Sequence, residues 1–288
     1  MNELVIISGK GGTGKTSLMA AFAFLAKRKV LCDADVDASD LHLIIEPEVK
    51  EQTDFQGGGT AIINQDTCTG CGVCLDLCRW DAITADFQVD PIECEGCGVC
   101  VYFCPEEAID FPVKTCGEWF ISDTRFGPMV HARLGIAEEN SGKLVALVRQ
   151  QAKDIAEKNG LDLILTDGPP GVGCPVIASI GGAGAVLIVT EPTLSGRHDL
   201  ERVAQLAAHF QVPGFVCINK FDINPEETEA IEAFAGEKNL ILLGRVPFDP
   251  LFTKAMVQGQ TIFEYDGHSR AGNAVREIWS RLEEKLKL

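Results

Sequence analysis

The chain has 288 residues, 46% of them hydrophobic, enough to bury a substantial core as one large domain or a domain with an insertion. Its formal charge of −17 repels phosphate backbones and anionic lipid, which argues against nucleic acid and simple electrostatic membrane docking. No apolar run approaches the roughly 18 residues that cross a bilayer, and the opening MNELVIISGKGG lacks a basic leader, so a soluble cytoplasmic protein without stable membrane insertion is expected.

Residues 4–8 form a short apolar run that enters Gly9-Lys10-Gly11-Gly12-Thr13-Gly14-Lys15-Thr16, a fit to the phosphate-cradling loop G-x4-G-K-[ST]. Residues 15–27 then carry Leu18, Met19, Phe22 and Leu25 at helical spacing, which supplies the required strand, loop and helix. Glycines without a β-carbon let backbone N–H groups converge on phosphate oxygens, and the following helix presents its positive end to the same anion. Lys15 is expected on the β- and γ-phosphates and the Thr16 hydroxyl on Mg2+, with Gly9, Gly11, Gly12, Thr13, Gly14 and Ser17 completing the cradle. The next apolar run, 30–32, ends in Asp33-Ala34-Asp35-Val36-Asp37. Carboxylates at the C-terminal edge of such a strand sit where open α/β sheets bind ligands, and imply magnesium and water.

Two cysteine ladders follow: Cys68-x2-Cys71-x2-Cys74-x3-Cys78 and Cys94-x2-Cys97-x2-Cys100-x3-Cys104-Pro105. Eight thiolates at this spacing read as ligands of two [4Fe-4S] clusters, with zinc the alternative. Residues 68–83 realign with 94–109 at an offset of 26, an internal duplication. In two-cluster ferredoxins the last cysteine of each run ligates the other cluster, which assigns Cys68, Cys71, Cys74 and Cys104 to one cubane and Cys94, Cys97, Cys100 and Cys78 to the other. Arg79 stands where the second run has Pro105, so the two clusters are expected to differ in potential. Gly57-Gly58-Gly59 and Pro112 read as linkers of an inserted α+β bacterial-type ferredoxin domain at 61–113, splitting a P-loop domain into 1–60 and 114–288. Cysteines in ligand spacing rather than in a small secreted framework imply a reducing compartment. Of the other four, Cys32 and Cys217 read as core residues.

Beyond the insertion, helices at 141–158, 194–210, 225–237 and 272–286 alternate with strands at 161–166, 185–190, 215–219 and 240–246. This alternation predicts an α/β fold with a mostly parallel sheet and helices on both faces. The closing helix gathers Val275, Ile278, Trp279, Leu282 and Leu286 on one face, a pattern read here as packing against the sheet. Asn219-Lys220-Phe221-Asp222 follows a strand and spells N-K-x-D, the guanine signature of GTPases, and Pro247 follows the next strand at the same edge.

The loop with its second lysine, the acids Asp33 and Asp35, and Asp167-Gly168-Pro169-Pro170-Gly171 after a strand together resemble the deviant P-loop ATPases of the MinD, ParA, Mrp and nitrogenase iron protein group, in a subgroup with an inserted ferredoxin. The resemblance implies that Lys10 reaches across an ATP-bound homodimer to the partner's phosphates, that Asp35 positions the attacking water and that Asp167 senses magnesium. It also favours ATP over GTP, with Asn219 and Asp222 at the base. Cys174, seven residues past Asp167, matches the spacing of a cluster-ligating cysteine in the nitrogenase iron protein, with Cys116 a weaker companion, although a packed thiol is the reading preferred for it.

The expected activity is ATP hydrolysis, with Lys10, Lys15, Asp35 and Asp167 as catalytic residues, coupled to electron transfer through the two clusters toward a partner protein. An Mrp-type carrier of metal clusters is one alternative. A redox-responsive MinD-like switch that recruits partners, including orange-protein-type complexes, is the other.

Overall fold

The structure, a computed structural model, describes residues 2–135 and 141–288. In chain order its elements are β1 (Asn2–Ser8), α1 (Lys15–Leu25), β2 (Lys29–Asp33), α2 (Leu41–Ile45), β3 (Glu48–Gly59), β4 (Ile62–Ile63), α3 (Val73–Leu77), α4 (Val99–Tyr102), β5 (Ile109–Asp110), β6 (Val113–Thr124), β7 (Gly127–Leu134) and α5 (Ser141–Asn159). There follow β8 (Leu163–Pro170), α6 (Cys174–Ile180), β9 (Ala185–Thr190), α7 (Leu194–His209), β10 (Gly214–Asn219), α8 (Pro225–Glu237), β11 (Ile241–Val246), α9 (Leu251–Val257), α10 (Ile262–Asp266) and α11 (Arg270–Leu286).

Nine strands form one sheet in the order β11-β10-β9-β1-β8-β2-β7-β6-β3, and every pair from β11 to β7 is parallel. The side-chain period of two explains why β1 reads as an unbroken apolar run. Leu4 and Ile6 pack with Leu18, Met19 and Phe22 of α1 and with Val275, Ile278 and Leu282 of α11. Val5 and Ile7 point the other way, into Val176 and Ile180 of α6, Leu200 and Val203 of α7 and Ile231 of α8. Helices therefore cover both faces, as the alternation predicted. α11 is an internal packing helix: Trp279 lies 5.4 Å from the Phe22 ring, centroid to centroid.

The hairpin β6–β7 has no counterpart among the expected elements. Its two-residue turn, Arg125-Phe126, carries none of the usual Asn-Gly or Asp-Gly chemistry. Side-chain bonds hold it instead: the Thr124 hydroxyl donates to Gly127 O at 2.7 Å and accepts from Phe126 N at 3.1 Å, while Arg125 reaches Ile44 O, Gly259 O and Glu264.

The chain divides into two compact units, one running to Gln52, resuming over Trp119–Arg133 and taking in Ser141–Leu288, the other built on Thr53–Glu118. These limits lie outside the expected 61 and 113. Gly57, Gly58 and Gly59 are not a linker but the end of β3.

Within the second unit the duplication reaches further than the cysteines. The β4–β5 pair Ile63↔Ile109 recurs 26 residues on as the bridge Ile83↔Val89. Asn64 N donating to Ala108 O at 2.8 Å recurs as Asp90 N to Ala82 O, also 2.8 Å, and Cys68 N to Asn64 O recurs as Cys94 N to Asp90 O. The side chains of Asn64 and Asp90 each cap the amide two residues on. Positive φ values also repeat, at Gly70 and Gly96, at Gly72 and Gly98, and at Asp81 and Glu107. The glycines at these turns are thus backbone requirements shared by both halves.

Candidate functional site

At the C-terminal edge of β1, the loop from Gly9 to Gly14 turns into α1 and helps line a cleft of about 380 Å3. Gly14 has φ of +86°, and a β-carbon there would lie 2.4 Å from Asn219 Nδ2, so both conformation and space demand glycine. Gly11, Gly12, Thr13, Lys15, Thr16, Ser17, Asp35, Asn219 and Pro247 line the same cleft. Thr13 Oγ1 is buried without a hydrogen-bond partner, a polar atom facing no protein acceptor.

Lys15 Nζ lies 2.7 Å from Asp167 Oδ1, 3.3 Å from Asp35 Oδ2 and 3.4 Å from Thr16 Oγ1. Burial works against its charge, but Asp167 and Asp35 outweigh that and raise its pKa. Asp35 is also raised, by burial first, with Lys15 opposing. The neighbouring Asp33, fully buried, accepts from Ser39 Oγ at 2.7 Å and from Asp35 N at 3.1 Å, and burial with the Asp167 charge raises it. Asp37 and Asp40 are exposed, which separates Asp35 from its acidic neighbours. The oxygens of Thr16, Asp35 and Asp167 are hard donors of the kind Mg2+ takes alongside phosphate.

Lys10 projects elsewhere. Its ammonium pairs with Glu191 Oε1 at 2.5 Å and donates to Ser195 Oγ at 3.1 Å. Lys220 Nζ meets the second oxygen of Glu191 at 3.2 Å and donates to Gly12 O at 3.0 Å, so one carboxylate holds both lysines against the loop. Burial raises Glu191, but its bonds to Lys10 and Lys220 prevail and lower it. Sequence reasoning missed Glu191 and Lys220. The available signal was position, an acid directly after the fully buried β9 on the ligand edge.

Asn219 and Asp222 are both engaged within the protein. Asn219 Nδ2 donates to Thr13 O at 2.7 Å and its Oδ1 accepts from Lys220 N at 3.0 Å. Asp222 Oδ1 accepts from Phe248 N at 2.7 Å and fixes the segment at Pro247 that walls the cleft.

In the second unit the cysteines sort into two pockets. Cys68, Cys71, Cys74 and Cys104 line one with Ile63, Phe87 and Ile109; Cys78, Cys94, Cys97 and Cys100 line the other with Ala61, Val89 and Phe111. Each pocket thus holds three cysteines of one run and the last of the other. Burial, with the neighbouring Cys68 and Cys71 adding to it, raises Cys74; burial with Cys94 and Cys97 does the same at Cys100. Among the described residues, no three His, Cys, Asp or Glu stand close enough to hold a single metal ion. Of the remaining cysteines, Cys32 and Cys217 are buried in strands, Cys116 is buried with its thiol donating to Gly57 O at 2.8 Å, and Cys174 is exposed at the start of α6.

A parallel sheet with a phosphate loop after β1, acids at the ends of β8 and β2 and helices on both faces defines a P-loop nucleotide-binding protein. The family model described as the CobQ/CobB/MinD/ParA nucleotide-binding domain matches residues 4–262, and the chain belongs to that family. It is 32% identical to the uncharacterized protein MJ0578 of Methanocaldococcus jannaschii, over 98% of this chain and 96% of that one. It is 25% identical to the septum site-determining protein MinD of Bacillus subtilis, over 97% and 88%. Among solved structures, MinD of Pyrococcus horikoshii complexed with Mg-ADP superposes with a TM-score of 0.63 at 18% identity, covering 99% of this chain and 96% of that one. Among the described residues no helix is long and apolar enough to cross a membrane.

Proposed function

We propose that this protein is a dimerising Mg-ATPase that couples nucleotide turnover to electron transfer, through two [4Fe-4S] clusters, toward a partner protein. The observation that carries the reading is the sorting of eight cysteines into two pockets, each completed by the last cysteine of the other run. Crossed completion is the ligand pattern of two-cluster ferredoxins, and it joins that chemistry to a nucleotide site on one chain.

At the nucleotide site, Lys15 leaves its carboxylate partners for the β- and γ-phosphates. Thr16 with Asp35 and Asp167 would hold Mg2+, which supplies charge neutralisation across the phosphates. Asp35 would orient the attacking water, and Asp167, at the end of its strand, would sense the bound magnesium. Lys10, once freed from Glu191, serves the opposite chain's phosphates in a homodimer. Asp222 uses one oxygen to brace the cleft wall through Phe248 N, and the choice of ATP over GTP rests on the likeness to the MinD and ParA ATPases.

The test is anaerobic: the iron-loaded chain is reduced, freed of reductant, and its reoxidation is followed with ATP, ADP or no nucleotide. Reoxidation that ATP alone changes by at least about twofold supports coupling. Identical traces in all three conditions refute it. Departure of iron together with sulfide to an apo-acceptor would instead identify a cluster carrier, and ATP turnover that follows redox state with no electron delivered would identify a switch.

A further inference from the structure

The duplication in the second unit supplies its own control, because two sites built from one repeat should present the same rim unless something distinguishes them. Their backbones agree in pairing, capping and positive φ. Their rims do not. At the pocket of Cys78, Cys94, Cys97 and Cys100 the rim carries Trp80, half exposed, along with Leu77 and Val99. The same helix places Tyr102 three residues beyond Val99, hence on the same face, at 83% exposure, and its ring meets Phe103 edge-on at 5.0 Å. At the repeat-equivalent positions of the other pocket, 26 residues away, Trp80 is replaced by Glu106 and Tyr102 by Asp76, both exposed.

Exposed aromatic side chains in water cost free energy, and two of them near one candidate cluster site, absent at the equivalent positions of the other, mark a contact surface. The rest of the unit narrows the partner. Thr53–Glu118 contains twelve Asp and Glu against two Lys and Arg, so the apolar collar lies on a strongly anionic body. An apolar centre in an anionic surround fits a partner with an apolar centre and a cationic rim: charge steers the encounter, and aromatic contact excludes water at the point of closest approach.

Resting on the cluster reading above, we infer that the Cys78/Cys94/Cys97/Cys100 site is the port through which this unit exchanges electrons, and that the Trp80–Tyr102 collar docks a redox protein with a Lys/Arg-rich face. The Cys68/Cys71/Cys74/Cys104 site, with Glu106 on its rim and Asp76 at the position equivalent to Tyr102, lacks this collar.

Ferricytochrome c, a basic haem protein, serves as the probe. The chain is loaded, reduced with dithionite, desalted and mixed anaerobically by stopped flow; one electron passes from a reduced cubane to ferric haem, which becomes ferrous, with no bond made or broken. The second-order rate should fall steeply with added salt. Trp80→Ser combined with Tyr102→Ala should lower it by about fivefold or more, while Glu106→Gln combined with Asp76→Asn should change it by less than about twofold. Iron content is measured for every variant. Tyr102→Ala alone, on a side chain that lines neither pocket, keeps the test decisive if the Trp80 variant loses iron, and should itself slow transfer by at least about twofold. Loaded aromatic variants at the wild-type rate, or equal losses at the two rims, overturn the docking proposal and leave the cluster reading standing. A wild-type chain that binds no iron and sulfide overturns both.

Discussion

Three carboxylates face one ammonium at Lys15, and the balance among them shapes the pH behaviour of the site. Burial raises Asp33, so between the ordinary carboxylate range and its folded value the folded chain keeps a proton that the unfolded chain has released. Stability must therefore fall as pH rises through that window. Asp33→Asn preserves an acceptor for Asp35 N–H and a partner for Ser39; with divalent metal removed it should flatten the fall and raise stability near neutral pH by roughly 1 kcal/mol, read by thermal melting. An unchanged slope would show that Asp33 is already ionised. The two loop lysines separate by a second measurement. Lys15→Ala should weaken ATP binding by at least about tenfold in calorimetry, since it removes a charged hydrogen-bond donor. Lys10→Ala should bind ATP nearly as wild type but lose ATP-dependent dimerisation in light scattering. Asp222→Ala releases the Phe248 amide and should cost about 1 kcal/mol of ATP affinity without a preference for guanine. Lys15, Asp35 and Asp167 were legible because a local motif or a strand end announces each. The pairing of Glu191 with Lys10 and Lys220 was not, since it joins three strand ends far apart in the sequence and leaves no spacing to read.

At the level of elements, legibility followed burial. β9 and α8 matched their expected limits because β9 is buried on both faces and α8 opens with an Asn224 cap and Pro225 at its first turn. The hairpin β6–β7 escaped because its turn is held by Thr124 and Arg125 through contacts distant in sequence, and turn composition carried no signal. Helix α11 shows what a helical stripe can and cannot say. Its apolar face was plain, but only the structure shows that this face meets Phe22 and the sheet. Trp279 Nε1 is buried with no partner, so the residue contributes by volume while its N–H costs. Trp279→Ala should therefore lose about 3–5 kcal/mol by denaturant titration. Trp279→Phe should stay within about 1 kcal/mol of wild type, because losing the orphaned donor offsets part of the cavity. A Phe variant as unstable as the Ala one would place a hydrogen bond at that nitrogen.

On the scale of the whole molecule, one unit holds an extensive two-sided core and the other a small cluster of Ala61, Ile63, Cys74, Ile83 and Ile109, with Phe87, Val89, Val101, Phe111 and five more cysteines partly buried against it. A unit of that size and composition needs a staple, and clusters bonded to eight thiolates would supply one. Chelation of iron should then unfold the cysteine unit while the far-ultraviolet signal of the parallel sheet persists. The ligand pattern itself can be tested by pairing substitutions. Single loss of Cys104 should leave about four iron per chain in place of about eight, whichever cluster it belongs to. Pairs discriminate. If ligation is crossed, as the two pockets suggest, Cys104→Ala with Cys68→Ala strikes one cluster twice and should retain about four iron, whereas Cys104→Ala with Cys94→Ala strikes both and should retain almost none. Straight ligation within each run predicts the reverse. Iron and acid-labile sulfide on anaerobically purified variants, with electron paramagnetic resonance of the reduced survivors, decide between them. The reversed result would detach the Trp80 collar from Cys78 and require the two sites to be reassigned by run.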